Sequence, residues 1–424
     1  MNKRSISSAI GGHLKDYIVT YLFLAISVFF IIRSGLRPDY ILSQLVDRMT
    51  RNAFIVLALM IPIIAGMGIN FAITIGAMAA QIGLVLVLSW EIPGIAGVLI
   101  AAAITVPLAG GFGLLIGMLL NRMKGQETIG SLILGYFANG AYQLLFLFIF
   151  GRYIPLSSAV TIMGATGVQN TLSLMGENGL YKAIDRLWRL PFGTTLYVFA
   201  AVILVGAIVL FALKKMRLSK FLVLAIPSAL SVVIYNVPIV KAQFVNISVP
   251  IITFAIVGVL CLFNVVIMRT RLGQKFRAVG QNRVVANAAG INVNRVRLIA
   301  ITISTILAGW GQIIFIQNLG TLQTYAAHEM VGLYAGAAIL VGGASIDRAT
   351  NSQALVGCVL FHTLFIVAQN AASNIFGDAA IGEYFRVFLC YGVIALALVM
   401  YAWRSTTANK NPARAIAAAG AKAR

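Results

Sequence analysis

R269-T-R-L-G-Q-K-F-R-A-V-G-Q-N-R-V-V-A-N-A-A-G-I-N-V-N-R-V-R297 interrupts a chain that is apolar on either side of it. The stretch holds seven basic residues and no acidic one. Asn282 is placed to cap a short helix through its side-chain oxygen. Gly290 is placed to end that helix in the left-handed conformation. Between them R283-V-V-A-N-A-A289 gives about two turns, with Val284, Val285 and Ala288 on one apolar face. Arg271, Lys275 and Arg277 precede it. A short capped helix on a basic loop is a rigid knob suited to a cytoplasmic partner, and a loop that binds lipid headgroups is the competing reading. Arg283 reads as a rim charge of the knob, with little energetic weight.

The surroundings say why such a knob would stand at a membrane. Of 424 residues, 60% are hydrophobic and 10% charged, and the mean hydropathy is +0.94. A soluble fold cannot hide that much apolar surface, so the excess faces a lipid bilayer. The longest polar gaps, about 151–193 and 269–297, are loop-sized against a domain of roughly 100–150 residues. A net charge of +21 would suggest nucleic acid in a soluble protein. Here Lys and Arg collect in cytoplasmic loops, because basic flanks resist translocation, and no nucleic-acid partner is expected. Cys261, Cys358 and Cys390 lie inside apolar segments and have neither disulfide nor metal spacing.

The expected fold class is all-α, a polytopic membrane helical bundle of about twelve segments. These are about 17–33, 52–69, 71–90, 94–120, 130–150, 194–213, 221–240, 248–268, 298–316, 328–345, 352–370 and 383–403. The run Tyr17–Ile32 has no small-residue cleavage pattern behind it, so it reads as a first span rather than a signal peptide. Even-numbered connections carry Arg122, Lys124, Lys214, Lys215, Arg217, Lys220 and the basic tail. Odd ones carry most acids: Asp39, Asp47, Glu91, Glu177, Asp185, Glu329, Asp378 and Glu383. Both termini are therefore expected in the cytoplasm of a bacterial-type inner membrane. One transmembrane domain would cover 1–403 and a cytoplasmic tail 404–424.

Two internal patterns stand out. The run from Pro191 to K214-K-M-R-L-S-K-F221 resembles the run from Pro250 to R269-T-R-L-G-Q-K-F276, through a local duplication or through the shape any inward-going span has. Gly113 with Gly117, and Gly332 with Gly336, are small-xxx-small pairs that let helix backbones approach. The first pair reads as bundle packing. The second, in G332-L-Y-A-G-A-A-I-L-V-G-G343, has too many glycines for a stiff helix and points to a broken or re-entrant one.

Catalytic motifs are missing. No G-x-x-x-x-G-K-[ST] phosphate loop occurs, and His328-Glu329 has no second histidine in helical register. No acidic residue stands mid-span, which weakens an ion-coupled secondary carrier with internal repeats, the main alternative. A membrane enzyme or scaffold is the lesser one. The polar residues inside the spans are Asn70, Thr74, Gln81, Gln312 and Asn370, with Phe71 beside the first. Each is costly in lipid unless partnered. Together they suit a path for a neutral, hydroxyl-rich solute. The outer connection 151–193 mixes Arg152, Lys182, Arg186 and Arg189 with Tyr181 and Trp188, a composition that suits a transient protein interface.

The stretch 269–298 resembles the coupling segment of ABC importer permeases for simple sugars, whose relatives carry nucleosides and branched-chain amino acids. A308-G-W-G-Q-I-I-F315 and A337-A-I-L-V-G-G-A-S345 resemble the family's following span and its Gly-Gly-x-Ser turn. G68-I-N-F-A-I-T-I-G-A77 resembles its discontinuous second-to-third helix region, and E127-T-I-G-S-L-I-L-G135 the opening of its fifth span. The likeness covers roughly 50–150 and 245–405. It implies a ten-span permease working as a pair with a second copy or paralogue. Two cytoplasmic P-loop ATPases, which carry the ATP and Mg, would open it, and an extracytoplasmic solute-binding protein would feed it. This chain itself would bind no cofactor. By the resemblance, Gly273, Gly280, Asn282, Ala286, Gly290 and Ile291 match the coupling motif, with Arg277 among them. Two departures are visible. An extra helix pair stands at about 194–240, and Asn70-Phe71-Ala72 replaces the Asp-Leu-Ser of many sugar members. The implied solute is a simple sugar first, then a nucleoside or branched-chain amino acid.

Overall fold

The computed structural model describes residues 17–123, 125–150, 153–156, 163–164, 167–168, 171–213, 216 and 218–409. Lys124, Arg152, Lys214, Lys215, Arg217 and residues 410–424 of the expected tail lie outside them. The described chain is mainly helical. In order it forms α1 (Ile18–Ser34), α2 (Pro38–Ala58), α3 (Met60–Ile64), α4 (Ile73–Ser89), α5 (Gly94–Arg122) and α6 (Glu127–Leu144), the last running into a π-turn at Leu145–Ile149. Then come α7 (Phe192–Ala212), α8 (Leu218–Tyr235), α9 (Pro238–Phe244), α10 (Ile251–Arg269), α11 (Arg271–Gln281) and α12 (Arg283–Ala288). The remainder is α13 (Val293–Leu319), α14 (Val331–Val341), α15 (Asn351–Phe376) and α16 (Ala379–Asn409).

The protein is a membrane helical bundle. Among the described residues six helices are long and apolar enough to cross a bilayer: α5, α6 with its π-turn, α7, α10, α13 and α15. A seventh counts if the pair 221–235 and 238–244, bent by 87°, is one span. Helix occurs in each of the twelve expected segments, but not always as a straight span. α2 begins at Pro38, well before the expected start at 52. Asp39, Asp47, Arg48 and Arg51 hid its first half from a hydropathy reading. The bundle accommodates at least one of these charges locally, since the Arg48 guanidinium lies 4.4 Å from the Phe365 ring centre.

α13 is the axis of the bundle. It packs on α5, α4 and α2, with small residues where backbones touch. A Cβ added to Gly76 would stand 2.2 Å from the Thr305 carbonyl oxygen, and one on Gly113 would stand 2.8 Å from Thr302 Cα. Gly113 and Gly117 thus pack α5 on α13. α1 lies against α15, and Asn374 Nδ2 donates to the carbonyls of Arg33 and Ser34 at the end of α1 at 3.2 and 2.9 Å.

Two helices break inside the bundle. α3 ends at Ile64, and the chain turns through Gly66 (φ +71°) and Gly68 (φ +68°) before α4 starts at Ile73. α14 has 11 residues, about half the ~20 that cross a bilayer, and ends at Gly342 and Gly343 (φ +87°). A Cβ on Gly357 of α15 would stand 1.9 Å from the Ala338 carbonyl oxygen, so α15 seats directly on the short helix.

At the opposite end from α11 and α12, short antiparallel ladders pin the 171–191 segment to the bundle. β3 (Thr171–Ser173) pairs with β6 (Thr321–Gln323), and β4 (Arg189–Pro191) with β5 (Ser248–Pro250); a further ladder joins β1 (Met163–Gly164) to β2 (Gly167–Val168). Asp185, 1% exposed, accepts from Thr253 Oγ1 and, at 2.5 Å, from Asn318 Nδ2. Pro191 and Pro250 each cap the helix that follows a strand, so the two similar runs start alike. They then diverge, since α8 returns as a long helix whereas α11 is short and amphipathic. α7 and α8 pack chiefly on each other.

Candidate functional site

The 269–292 segment is built from three helix starts in succession, each with its own cap. Thr270 Oγ1 accepts from the Gly273 amide at 3.3 Å. Asn282 Oδ1 accepts from Val284 and Val285 at 3.0 and 3.1 Å. Asn292 Oδ1 accepts from Arg295 at 3.0 Å. Gly290 sits at φ +80°, and the Ile291 amide closes back on the Ala286 carbonyl at 3.0 Å. The cap and stop read from the sequence are therefore in place. The sequence missed α11. Its alternation of Arg271, Lys275 and Arg277 with Phe276 and Val279 is a helical stripe, with both apolar side chains fully buried. Arg277 donates to the Met268 carbonyl at 3.0 Å and so caps the end of α10. Gly273 fits against Ile267 and Met268, and Gly280 against Ile64 and Gly66.

On α12 Val284 (79%), Val285 (62%) and Ala288 are exposed, while Ala286 is 3% exposed and turned onto its own bundle. Arg283 is not a rim charge. Its Nη1 reaches Glu127 Oε1 at 2.7 Å and its Nη2 donates to the Gly66 carbonyl at 2.7 Å. Arg297, 1% exposed, reaches the same Glu127 oxygen at 2.6 Å. The sequence signal for Glu127 was a carboxylate in the first turn of a helix. Nothing in the sequence marked its two arginine partners.

A cavity of about 160 Å³ opens where the 65–72 break meets α6 and α14. Phe71, Thr74, Tyr136, Asn139, His328, Glu329 and Tyr391 are among its lining residues. Gly332 and Gly336 let α14 close on the break, since a Cβ on Gly332 would stand 2.9 Å from the Phe71 carbonyl oxygen. Asn139 lies about 18 Å along α6 from Glu127 at ~1.5 Å per residue, about midway along α6 and its π-turn.

Phe71 and Thr74 lie on the cavity wall, and the other expected pathway residues do not line it. Asn70 Oδ1 accepts from the Ala72 amide at 3.1 Å and shapes the break. Gln81 stands one layer back, accepting from Tyr142 Oη at 2.5 Å and lying 3.1 Å from His328 Nδ1. Gln312 donates to the Ala327 carbonyl at 2.9 Å, next to His328. Asn370 is exposed on α15 and does not line the cavity.

The histidine links wall and support. Asn139 Nδ2 donates to Glu329 Oε1 at 3.2 Å, which leaves its oxygen to accept from His328 Nε2–H at 2.8 Å. A neutral imidazole then carries a lone pair on Nδ1. Turning the Gln81 amide presents its nitrogen to that lone pair and reverses the Tyr142 contact, with Tyr142 Oη then accepting from the same nitrogen. His328, Asn139, Tyr142 and Glu329 were not singled out from sequence as pathway residues. Asn139 and Tyr142, three apart in an apolar helix, were the available hint.

Several long apolar helices make this a multi-pass membrane protein. The chain belongs to the family described as "Branched-chain amino acid transport system / permease component", which matches residues 42–398. It is 36% identical over 110 residues to the autoinducer 2 import system permease protein of Enterobacter sp. (strain 638), covering 24% of this chain and 31% of that protein. It is 29% identical over 133 residues to the ribose import permease protein of Escherichia coli (strain K12), covering 31% and 39%. It is 31% identical over 136 residues to a nucleoside ABC transporter permease protein of Lactococcus lactis subsp. cremoris (strain MG1363), covering 31% and 41%. The chain spans less than half the length of each of these relatives. No solved structure matches it.

Proposed function

We propose that this chain is the transmembrane permease subunit of a binding-protein-dependent ABC importer that moves a small neutral solute inward by alternating access. The observation that carries the reading is α12. Val284 and Val285 project from a helix capped at both ends, and an exposed apolar knob on a rigid support is what a partner groove covers. The partner is a P-loop ATPase subunit, which holds the ATP and Mg; this chain is not itself the enzyme.

The cavity supports the solute class. Phe71, Tyr136 and Tyr391 offer ring faces, and Thr74, Asn139 and Glu329 offer hydrogen-bonding groups. A carboxylate with no ion-pair partner among the described residues accepts from hydroxyls and repels a carboxylate. That favours a simple sugar, then a nucleoside, over a branched-chain amino acid. Tyr136 (67%), Phe137 (74%) and Glu329 are exposed around the mouth. A carboxylate facing lipid is costly, so a second permease copy or paralogue covers this face. Met175, Leu187 and Trp188, exposed on the 171–191 segment, would meet the extracytoplasmic binding protein. We read all twelve segments as membrane segments of one domain over 1–403: a core of ten plus the α7–α8 pair. Both termini and the 404–424 tail lie in the cytoplasm of a bacterial inner membrane.

The test is reconstitution in proteoliposomes with the ATPase and binding protein encoded beside this chain. Uptake of a sugar or nucleoside that requires ATP on the cytoplasmic face is the expected result. Uptake driven by an ion gradient without the ATPase would assign a secondary carrier instead.

A further inference from the structure

The turn that precedes the cavity is gripped from the α11–α12 end. Gly280 lies on it backbone to backbone: a Cβ on Gly66 would stand 2.7 Å from Gly280 Cα, and one on Gly280 would stand 2.1 Å from the Ile64 carbonyl oxygen. Arg283 spans from α12 to the Gly66 carbonyl and to Glu127, the first residue of α6. The next turn of α6 holds the same segment further on. A Cβ on Gly68 would stand 2.5 Å from Thr128 Oγ1, and the Phe71 amide donates to Ser131 Oγ at 3.0 Å. Phe71 and Thr74 then line the cavity. A continuous set of contacts therefore runs from the exposed helix to the solute site.

The two arginines on Glu127 are not equivalent. Arg297 is 1% exposed and Glu127 6%, whereas Arg283 is 33% exposed. Removing Arg297 would empty an enclosed position and leave the buried Glu127 to the more exposed Arg283 alone, which is destabilising. Removing Arg283 leaves Glu127 still paired, and the departing guanidinium reaches water. The planar fork of Arg283 serves two acceptors on two elements at once, which an ammonium cannot reproduce.

We propose that Arg283 is a releasable latch: a positioning residue that passes displacement of α12 to the 64–71 turn, and so to Phe71 and Thr74, while Arg297 holds Glu127 in place. This rests on the reading that α12 seats in an ATPase subunit. The test uses the full permease–ATPase complex in lipid with its binding protein, comparing wild type, Arg283→Met and Arg283→Lys. The readouts are retained ATPase subunit, melting temperature, and solute moved per ATP hydrolysed. Arg283→Met is expected to keep the ATPase subunit and melt near wild type, yet to lose about ten-fold in solute per ATP. Arg283→Lys is expected to recover part of that loss. Wild-type solute per ATP in Arg283→Met overturns the latch, and so does loss of the ATPase subunit or of the fold, which would make Arg283 a docking or structural tie. A wild-type chain that retains no ATPase subunit overturns the parent reading along with it.

Discussion

His328 and Asn139 are joined across the cavity wall, Nε2 to Oδ1 at 2.8 Å, and the same amide donates to Glu329 at 3.2 Å. The orientation of the group that would meet a solute hydroxyl is thereby set by a histidine that is itself 1% exposed. His328→Leu removes the donor and leaves Asn139 and Gln81 short of a partner, at about 1–3 kcal/mol for each unsatisfied group. We expect the concentration for half-maximal uptake to rise about ten-fold or more at unchanged membrane abundance. An unchanged half-saturation value would remove His328 from the solute site.

Gly280 and Gly290, both matched to the family's coupling motif by resemblance, are required for different physical reasons. Gly280 has backbone against it, with Ile64 O at 2.1 Å from an added Cβ, and backbone cannot give way. Gly290 has open space around it but stands at φ +80°. Gly280→Ala should therefore cost about 1–3 kcal/mol through overpacking. Gly290→Val should cost about 1–2 kcal/mol or more through strain, with Gly290→Asn the mildest change. Thermal unfolding of the purified chain separates the two: a tolerated Gly280→Ala, or Gly290→Asn as harmful as Gly290→Val, contradicts the assignment.

Ala286, matched to the coupling motif by resemblance, is turned onto its own bundle rather than outward. It is 3% exposed within the chain alone. Ala286→Glu places a carboxylate in that closed space at a cost of several kcal/mol, on the order of 3–5 when unpaired. The loss should appear as reduced membrane abundance of the permease expressed by itself. Normal abundance combined with failed ATPase binding would return Ala286 to the interface.

What the sequence showed, and what it withheld, follows the range of the interactions. Asn282 and Gly290 were legible because caps and stops act within a few residues. The break at 65–72 was legible only through the family likeness of 68–77. α11 and the first half of α2 were not, because charged residues interrupt the hydropathy that marks a span while leaving the helical stripe intact. Arg283, Glu127 and Arg297 were not, because their pairing crosses 156 and 170 residues of sequence and no local pattern encodes it. The cavity was half legible. Polar residues in apolar segments named Phe71 and Thr74 on its wall and Gln81 behind it, but His328 is brought there only by the fold.

The α7–α8 pair gives the remaining test. Its helices are mainly apolar, with Val202 (66%), Val205 (59%), Val223 (70%) and Val233 (64%) exposed. That surface is stable only in lipid, since an exposed apolar face of this extent would aggregate in water. Both helices start or end near the 189–191 and 248–250 ladder, so the hairpin leaves the ladder end of the bundle and returns to it. An even number of added crossings keeps α10 and everything after it in the same orientation. In a background without native cysteines, a cysteine at Met216 should be labelled by an impermeant reagent only from the cytoplasmic side, and one at Ile239 only from outside. Outside labelling at 216 would place the hairpin out of the bilayer and reduce the architecture to ten segments.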